Sequence, residues 1–236
     1  MRISSLVTYA DYEANPLYND RHRAESFINR SHLYEAVTTT LTRGVFLLIS
    51  DNSVGNVKGA CYGFVTVRLH PEHGYFGGLL VVNTLARPVE FHCTLPVKPS
   101  RAQTILYGPT LHDFVCGEQI TRALLAKAKT TPISIFTDTS AALSARHFVN
   151  IPIGWIEAET KDNEESTLVI PKSVSDRDYK SIRIDDIVVK FPESFSQDAQ
   201  LIAANWKETS PQIDLMEPFG RITEALFEAN PAAKAA

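Results

Sequence analysis

The sequence is poor in the residues and patterns that most often carry chemistry. Its three cysteines, Cys61, Cys93 and Cys116, are odd in number and widely spaced, which excludes a disulfide framework and points to a reducing compartment. No apolar run approaches the ~18 residues of a membrane span. The N-terminal stretch MRISSLVTYADYEANPLYNDRHR also lacks the sustained apolar core of a secretory signal. Cations are not in excess: Lys and Arg total 23 against 27 Asp and Glu, for a net charge of −4 and a pI of about 6.0. Such a chain has no general attraction for nucleic acid or an anionic membrane, so neither is expected as a partner. The phosphate-binding patterns G-x-G-x-x-G and G-x-x-x-x-G-K are missing, as are G-x-S-x-G, H-E-x-x-H and any aromatic RNA-binding stretch. No internal repeat is present. The expectation is a soluble cytoplasmic protein without cofactor or metal.

What is present describes a globular chain. Hydrophobic residues make up 44% and charged residues 21% of 236, enough to bury a core and too apolar for wholesale disorder. We read a polar N-terminal arm over 1–30, a core domain over 31–170, and a hairpin with a helical extension over 171–236, packed on the core or on a partner. Ser31 opens a helix to Thr40, and VFLLIS at 45–50 is a buried strand. Further strands are read at 60–69, 75–83 and 88–95, separated by connections too short for anything but antiparallel pairing. Ser100 and Gln103 have the S-x-x-Q form of a capping box, so a helix runs from there to Gly108. Thr110 opens a second helix that continues to Lys129, with Leu111, Phe114, Val115, Leu124, Leu125 and Ala128 as its inward stripe. Strands follow at 133–137 and 151–158, then an acidic solvated loop at 157–165. Two short strands flank Asp185-Asp186. Leu215, Phe219, Ile222 and Leu226 recur at four, three and four residues, the seam of an amphipathic helix with Pro218 in its first turn.

These elements predict an α+β fold, a largely antiparallel sheet covered on one face by the helices after Ser100 and followed by a helical C-terminal extension. A mixed α/β sheet is the alternative, because the segment between 95 and 133 is long enough for a parallel crossover.

Several constellations invite a chemical reading. His70, Glu72 and His73 in HPEHG offer imidazole and carboxylate to a metal, with His92 and Cys93 as further ligands. Strand alternation weakens this: His92 and Cys93 point to opposite faces, and His92 lies opposite Leu79, about 13 Å from the turn. The H-x-E triplet lacks the P-C-x-x-C half of a zinc deaminase. Cys93 or Cys116 with His92 or His112 is a possible thiolate–imidazole pair, and Cys116 and His112 share a helical face. Asp138, at the carboxyl end of a strand, stands where α/β folds bind ligands or metals, and is read in preference as the N-cap of the next helix. The favoured binding site is Lys98, Ser100, Arg101, Gln103 and Tyr107, where a cationic loop meets a capped helix N-terminus.

No catalytic set emerges. The leading functional expectation is a non-enzymatic scaffold or subunit of a cytoplasmic protein assembly. Its contacts would be self-association or a protein partner, with the Leu215, Phe219, Ile222 and Leu226 seam as one contact. The alternatives are a small-ligand or anion-binding module at Lys98–Arg101, and a cysteine- or metal-dependent enzyme.

Overall fold

Alternation breaks down in the strand that seeds the sheet. β1 (Cys61–His70) reads CYGFVTVRLH, and all but one of its residues are buried. A strand apolar on both sides must be covered on both faces. The computed structural model, which describes residues 59–157, 168–173 and 178–230, shows both layers. All of these residues belong to one compact unit.

β1 pairs along its whole length with β2 (Gly74–Asn83), antiparallel, through the tight HPEHG turn. Gly74 closes that turn at φ 91°, and a Cβ there would sit 2.5 Å from the Val97 carbonyl oxygen. β3 (Pro88–Cys93) adds to the far edge of β2 with a bulge at Val81/Val82. The chain then crosses the sheet through α1 (Arg101–Tyr107) and α2, which is helical over Leu111–Asp113, widens into a π segment at Phe114–Thr121, and resumes at Arg122–Lys127. It returns as β4 (Ser134–Thr137), parallel to β1. A 3₁₀ segment, Ser140–His147, leads to β5 (Ile153–Ile156), parallel to β4. β6 (Tyr179–Ile184) and β7 (Ile187–Pro192) form a hairpin whose second strand pairs antiparallel with β5. α3 (Gln197–Thr209) and α4 (Glu217–Ala229) end the described chain. The sheet order is β3-β2-β1-β4-β5-β7-β6.

Two apolar layers sandwich this sheet. Val65, Val67 and Leu79 pack beneath Val115, Cys116, Ile120 and Leu124 of α2. Tyr62, Phe64, Leu80 and Phe136 pack on the other side beneath Ile202 of α3 and Phe219, Ile222 and Leu226 of α4. The adjacent Gly77 and Gly78 of β2 let a helix approach each face. A Cβ at Gly77 would overlap Ile120, and one at Gly78 would lie 2.5 Å from Ile222.

The structure is therefore a mixed sheet with helices, and β1·β4 and β4·β5 are its parallel pairings. One-sided cover was the wrong expectation, because the apolar run in β1 already demanded two layers. β7 bonds to β5 and α4 lies on β1 and β2, so the segment beyond 171 completes the same sheet and core. The arm over 1–30, the helix over 31–40, the strand over 45–50 and most of the acidic loop lie outside the described residues.

Candidate functional site

Beyond β3 the chain leaves the core and stays out of it for some fifteen residues. Leu95 and Pro96 are exposed, and Val97 touches back by exchanging backbone hydrogen bonds with Tyr75 at 2.8 and 2.9 Å. Lys98 Nζ donates to the Glu72 carbonyl at 2.8 Å. Ser100 and Gln103 form the expected reciprocal cap: the Gln103 N–H donates to Ser100 Oγ at 3.2 Å, and the Ser100 N–H to Gln103 Oε1 at 2.8 Å. α1 then runs to Gly108, where φ of 48° breaks it. Not one residue of α1 is buried. Its anchor is Tyr107, whose ring stacks on Phe114 with centroids 3.9 Å apart.

A surface helix ordinarily turns its apolar residues inward. α1 turns them outward: Ile105 is 69% and Leu106 67% exposed, and Leu95, in the loop before the helix, is 51% exposed. Arg101 is exposed and has no hydrogen-bond or ion-pair partner among the described residues. The result is a surface lobe over 95–110 that carries exposed apolar side chains and two cations, Lys98 and Arg101. Clustered exposed apolar side chains are the usual mark of an interaction surface.

This alters the roles of the five residues read as an anion site. The side chains of Ser100 and Gln103 are committed to each other's backbone, Tyr107 is committed to Phe114, and Lys98 holds the HPEHG turn. Burial and nearby Glu118 raise the Tyr107 hydroxyl, so it stays protonated. Arg101 is left to face a ligand, together with the donors of Lys98 that its one carbonyl contact does not use. Sequence reasoning found the lobe by its cap and charges but passed over Leu95, Ile105 and Leu106. Their exposure depends on what packs over them, which no local pattern reports.

The other proposed contact is taken up within the chain. Leu215, Phe219, Ile222 and Leu226 are all under 5% exposed and lie in the core layer over the sheet. That seam docks on its own sheet and offers a partner nothing.

The histidines and cysteines do not converge. His70 is fully buried, and its Nδ1 accepts the N–H groups of Glu72 and His73 at 3.1 and 3.2 Å, which pins the turn. His92 lies opposite Leu79 as the alternation required, and its Nε2 meets Glu90 Oε1 at 2.5 Å. His112 Nδ1 is 3.0 Å from the Tyr75 hydroxyl, a group pushed up to about 12 by burial and by Cys116 nearby. Among the described residues no group of three His, Cys, Asp or Glu is placed to hold a metal. Burial raises the thiols of Cys61 and Cys93, and burial with Asp113 nearby raises Cys116 well above the ordinary value. A nucleophilic thiolate is therefore disfavoured at each of them. Iodoacetamide at neutral pH is expected to label none of the three until denaturant is added; rapid labelling of Cys116 in the native protein would revive the thiolate reading.

Asp138 does not cap the following 3₁₀ segment, whose N-cap is Thr139 without a side-chain bond. Its carboxylate turns into the sheet layer beneath α4. There it accepts from Thr66 Oγ1 at 3.1 Å, Thr139 Oγ1 at 3.0 Å, and Arg68 Nη1 and Nη2 at 3.1 and 2.5 Å. The signal was Arg68 itself, a cation in a buried strand beside the apolar Phe64, Val65 and Val67, which demands a buried acid.

Glu90 was likewise missed. It is buried in β3 and accepts N–H groups from Lys129 and Thr130 at 2.9 to 3.0 Å, closing the exit of α2. Burial alone would push its carboxyl up. The two backbone donors and His92 outweigh that and hold it below the ordinary value of 4.5. The bound form is the anion, so the stabilisation is complete above the unfolded pKa and is lost as pH falls through the folded one. Glu90→Gln is expected to cost about 1–3 kcal/mol at neutral pH and to flatten the acid limb of a stability–pH curve measured by urea unfolding. An unchanged acid limb would show that Glu90 titrates alike in both states.

Comparison of the chain with protein-family models, curated proteins and solved structures finds no match.

Proposed function

We propose that this chain is a non-enzymatic subunit of a cytoplasmic protein assembly and that it docks through the lobe over 95–110. One observation carries the reading: a helix without a buried residue holds the adjacent Ile105 and Leu106 at 69% and 67% exposure, the two most exposed large hydrophobic side chains among the described residues. Full exposure of such side chains is costly, at about 25 cal/mol per Å² of apolar surface. A capped, ring-anchored helix that keeps them outside is suited to burying them against something else. The cysteines, all reduced and buried, suit a cytoplasmic setting. Among the described residues no helix is long and apolar enough to cross a membrane.

Because these two side chains are 69% and 67% exposed, the test can separate docking from stability. Ile105→Asp/Leu106→Asp is expected to keep the wild-type melting temperature, a surface change being worth within about 0.5 kcal/mol. The same variant should lose a stoichiometric companion that purifies with the wild-type chain from its native source. A wild-type chain that purifies alone at its 26.2 kDa monomer mass would defeat the proposal. So would a companion retained by the variant.

A further inference from the structure

The lobe has a charge signature as well as exposed apolar side chains. Between Glu90 and Asp113 the sequence contains no Asp or Glu, while Lys98 and Arg101 both fall within it. This is a locally cationic stretch in a chain whose net charge is −4. Both cations are exposed, and they stand at the base of the helix that bears Ile105 and Leu106. Elsewhere the described arginines of the core are neutralised by buried acids, Arg68 by Asp138 and Arg146 by Asp198. Arg101 has no such acid among the described residues.

Resting on the docking role of this lobe, we propose that its partner is a protein surface of defined chemistry: an apolar face flanked by Asp or Glu carboxylates. The leucine and isoleucine tips enter the apolar face, and the guanidinium of Arg101 takes a flanking carboxylate, to which its planar fork is matched. Lys98 sits on a carbonyl through one of its three N–H donors and keeps two for a second acid. The charges select and orient the partner while the apolar tips hold it. The stretch from 91 to 112 adds no acid of its own that would oppose the partner's carboxylates.

The probe is a designed helical peptide of about five turns with one leucine face, made in two versions flanked by glutamate or by lysine. Affinities are measured for the wild-type protein and for Lys98→Glu/Arg101→Glu at low and high salt. The glutamate version is expected to bind the wild type at least about ten-fold tighter, to weaken with salt, and to lose its advantage to the lysine version in the charge-reversed protein. Equal affinities, a preference for the lysine version, or no binding of either overturns the proposal. Phosphatidylcholine vesicles with and without phosphatidylserine form a control arm. Binding that appears only with phosphatidylserine and vanishes on charge reversal overturns it in favour of a lipid surface. The docking role itself fails by a different result, the companion's indifference to Ile105→Asp/Leu106→Asp. A companion lost through that change but kept through charge reversal leaves the assembly reading standing and removes this one.

Discussion

Asp138→Ala is expected to lower the stability of the protein by about 3–5 kcal/mol and its melting temperature by on the order of 10 °C. The carboxylate is 1% and the Arg68 side chain 10% exposed, so neither ion has water to fall back on. Arg68 would retain Val67 O at 3.2 Å and a long contact of 3.4 Å to Thr223 Oγ1, both neutral acceptors. Thr66 and Thr139 would each lose a hydroxyl acceptor as well. The cost comes from stranding a cation and the Thr66 hydroxyl, since Thr139 Oγ1 can still donate to Val67 O at 3.1 Å, and the net worth of the pair is a separate quantity. A buried ion pair often does little better than apolar residues of the same shape. The double change Arg68→Met/Asp138→Leu should therefore be much less harmful than Asp138→Ala alone. Urea unfolding of the wild type, both single variants and the double variant closes the cycle. A loss under about 1 kcal/mol for Asp138→Ala would mean that water reaches the site and that the pair is not part of the core. The pair ties the ends of β1 and β4, and so holds together the parallel seam on which the crossover through α2 depends.

That seam marks the boundary of what the sequence reveals. The β1–β2 hairpin, the Ser100 cap and the α4 seam were all legible, because each is written in neighbouring residues: a tight turn, an S-x-x-Q spacing, a repeat of four, three and four. A parallel crossover could be posed only as an alternative, between strands 88–95 and 133–137, and the pairing of β4 with β1 rests on long-range burial. The cover on both faces was legible in CYGFVTV, where apolar residues fail to alternate, and in the adjacent Gly77 and Gly78, each of which meets a different helix. The candidate site was half legible. Cap and charge located the lobe, but they suggested an anion because an N-terminus and two cations are what sequence displays. The exposure of Ile105 and Leu106 follows from how the rest of the chain packs, which no local pattern reports. The buried acids fared worst, since Glu90 and Asp138 look like ordinary strand-end carboxylates until their backbone and arginine partners are in place.

The π segment of α2 explains a further large effect, where two principles predict opposite signs. Gly117 lies inside a helix, and on propensity alone Gly117→Ala should stabilise by about 0.5–1 kcal/mol. The packing says otherwise. A Cβ at this position would overlap Ser144 Oγ and lie 2.7 Å from the backbone nitrogen of Ala145. Ser144 has little room to yield, because its hydroxyl donates toward Asp113 O at 2.6 Å and Ala141 O at 2.9 Å. The backbone nitrogen can move only if the whole 3₁₀ segment moves. That segment carries Arg146, whose guanidinium bonds Asp198 of α3 at 2.7 Å and 3.1 Å, so a shift there is felt in the layer on the opposite face. Overpacking of this kind costs about 1–3 kcal/mol and more when backbone must shift, which outweighs the gain in propensity. Gly117→Ala should therefore destabilise by about 2 kcal/mol net. Adding Ser144→Ala to Gly117→Ala should recover only part of the loss, since the serine oxygen goes while the Ala145 nitrogen stays. Full recovery would locate the whole clash in the side chain, and a stabilised Gly117→Ala would show that α2 and the 3₁₀ segment lie farther apart than the structure has them.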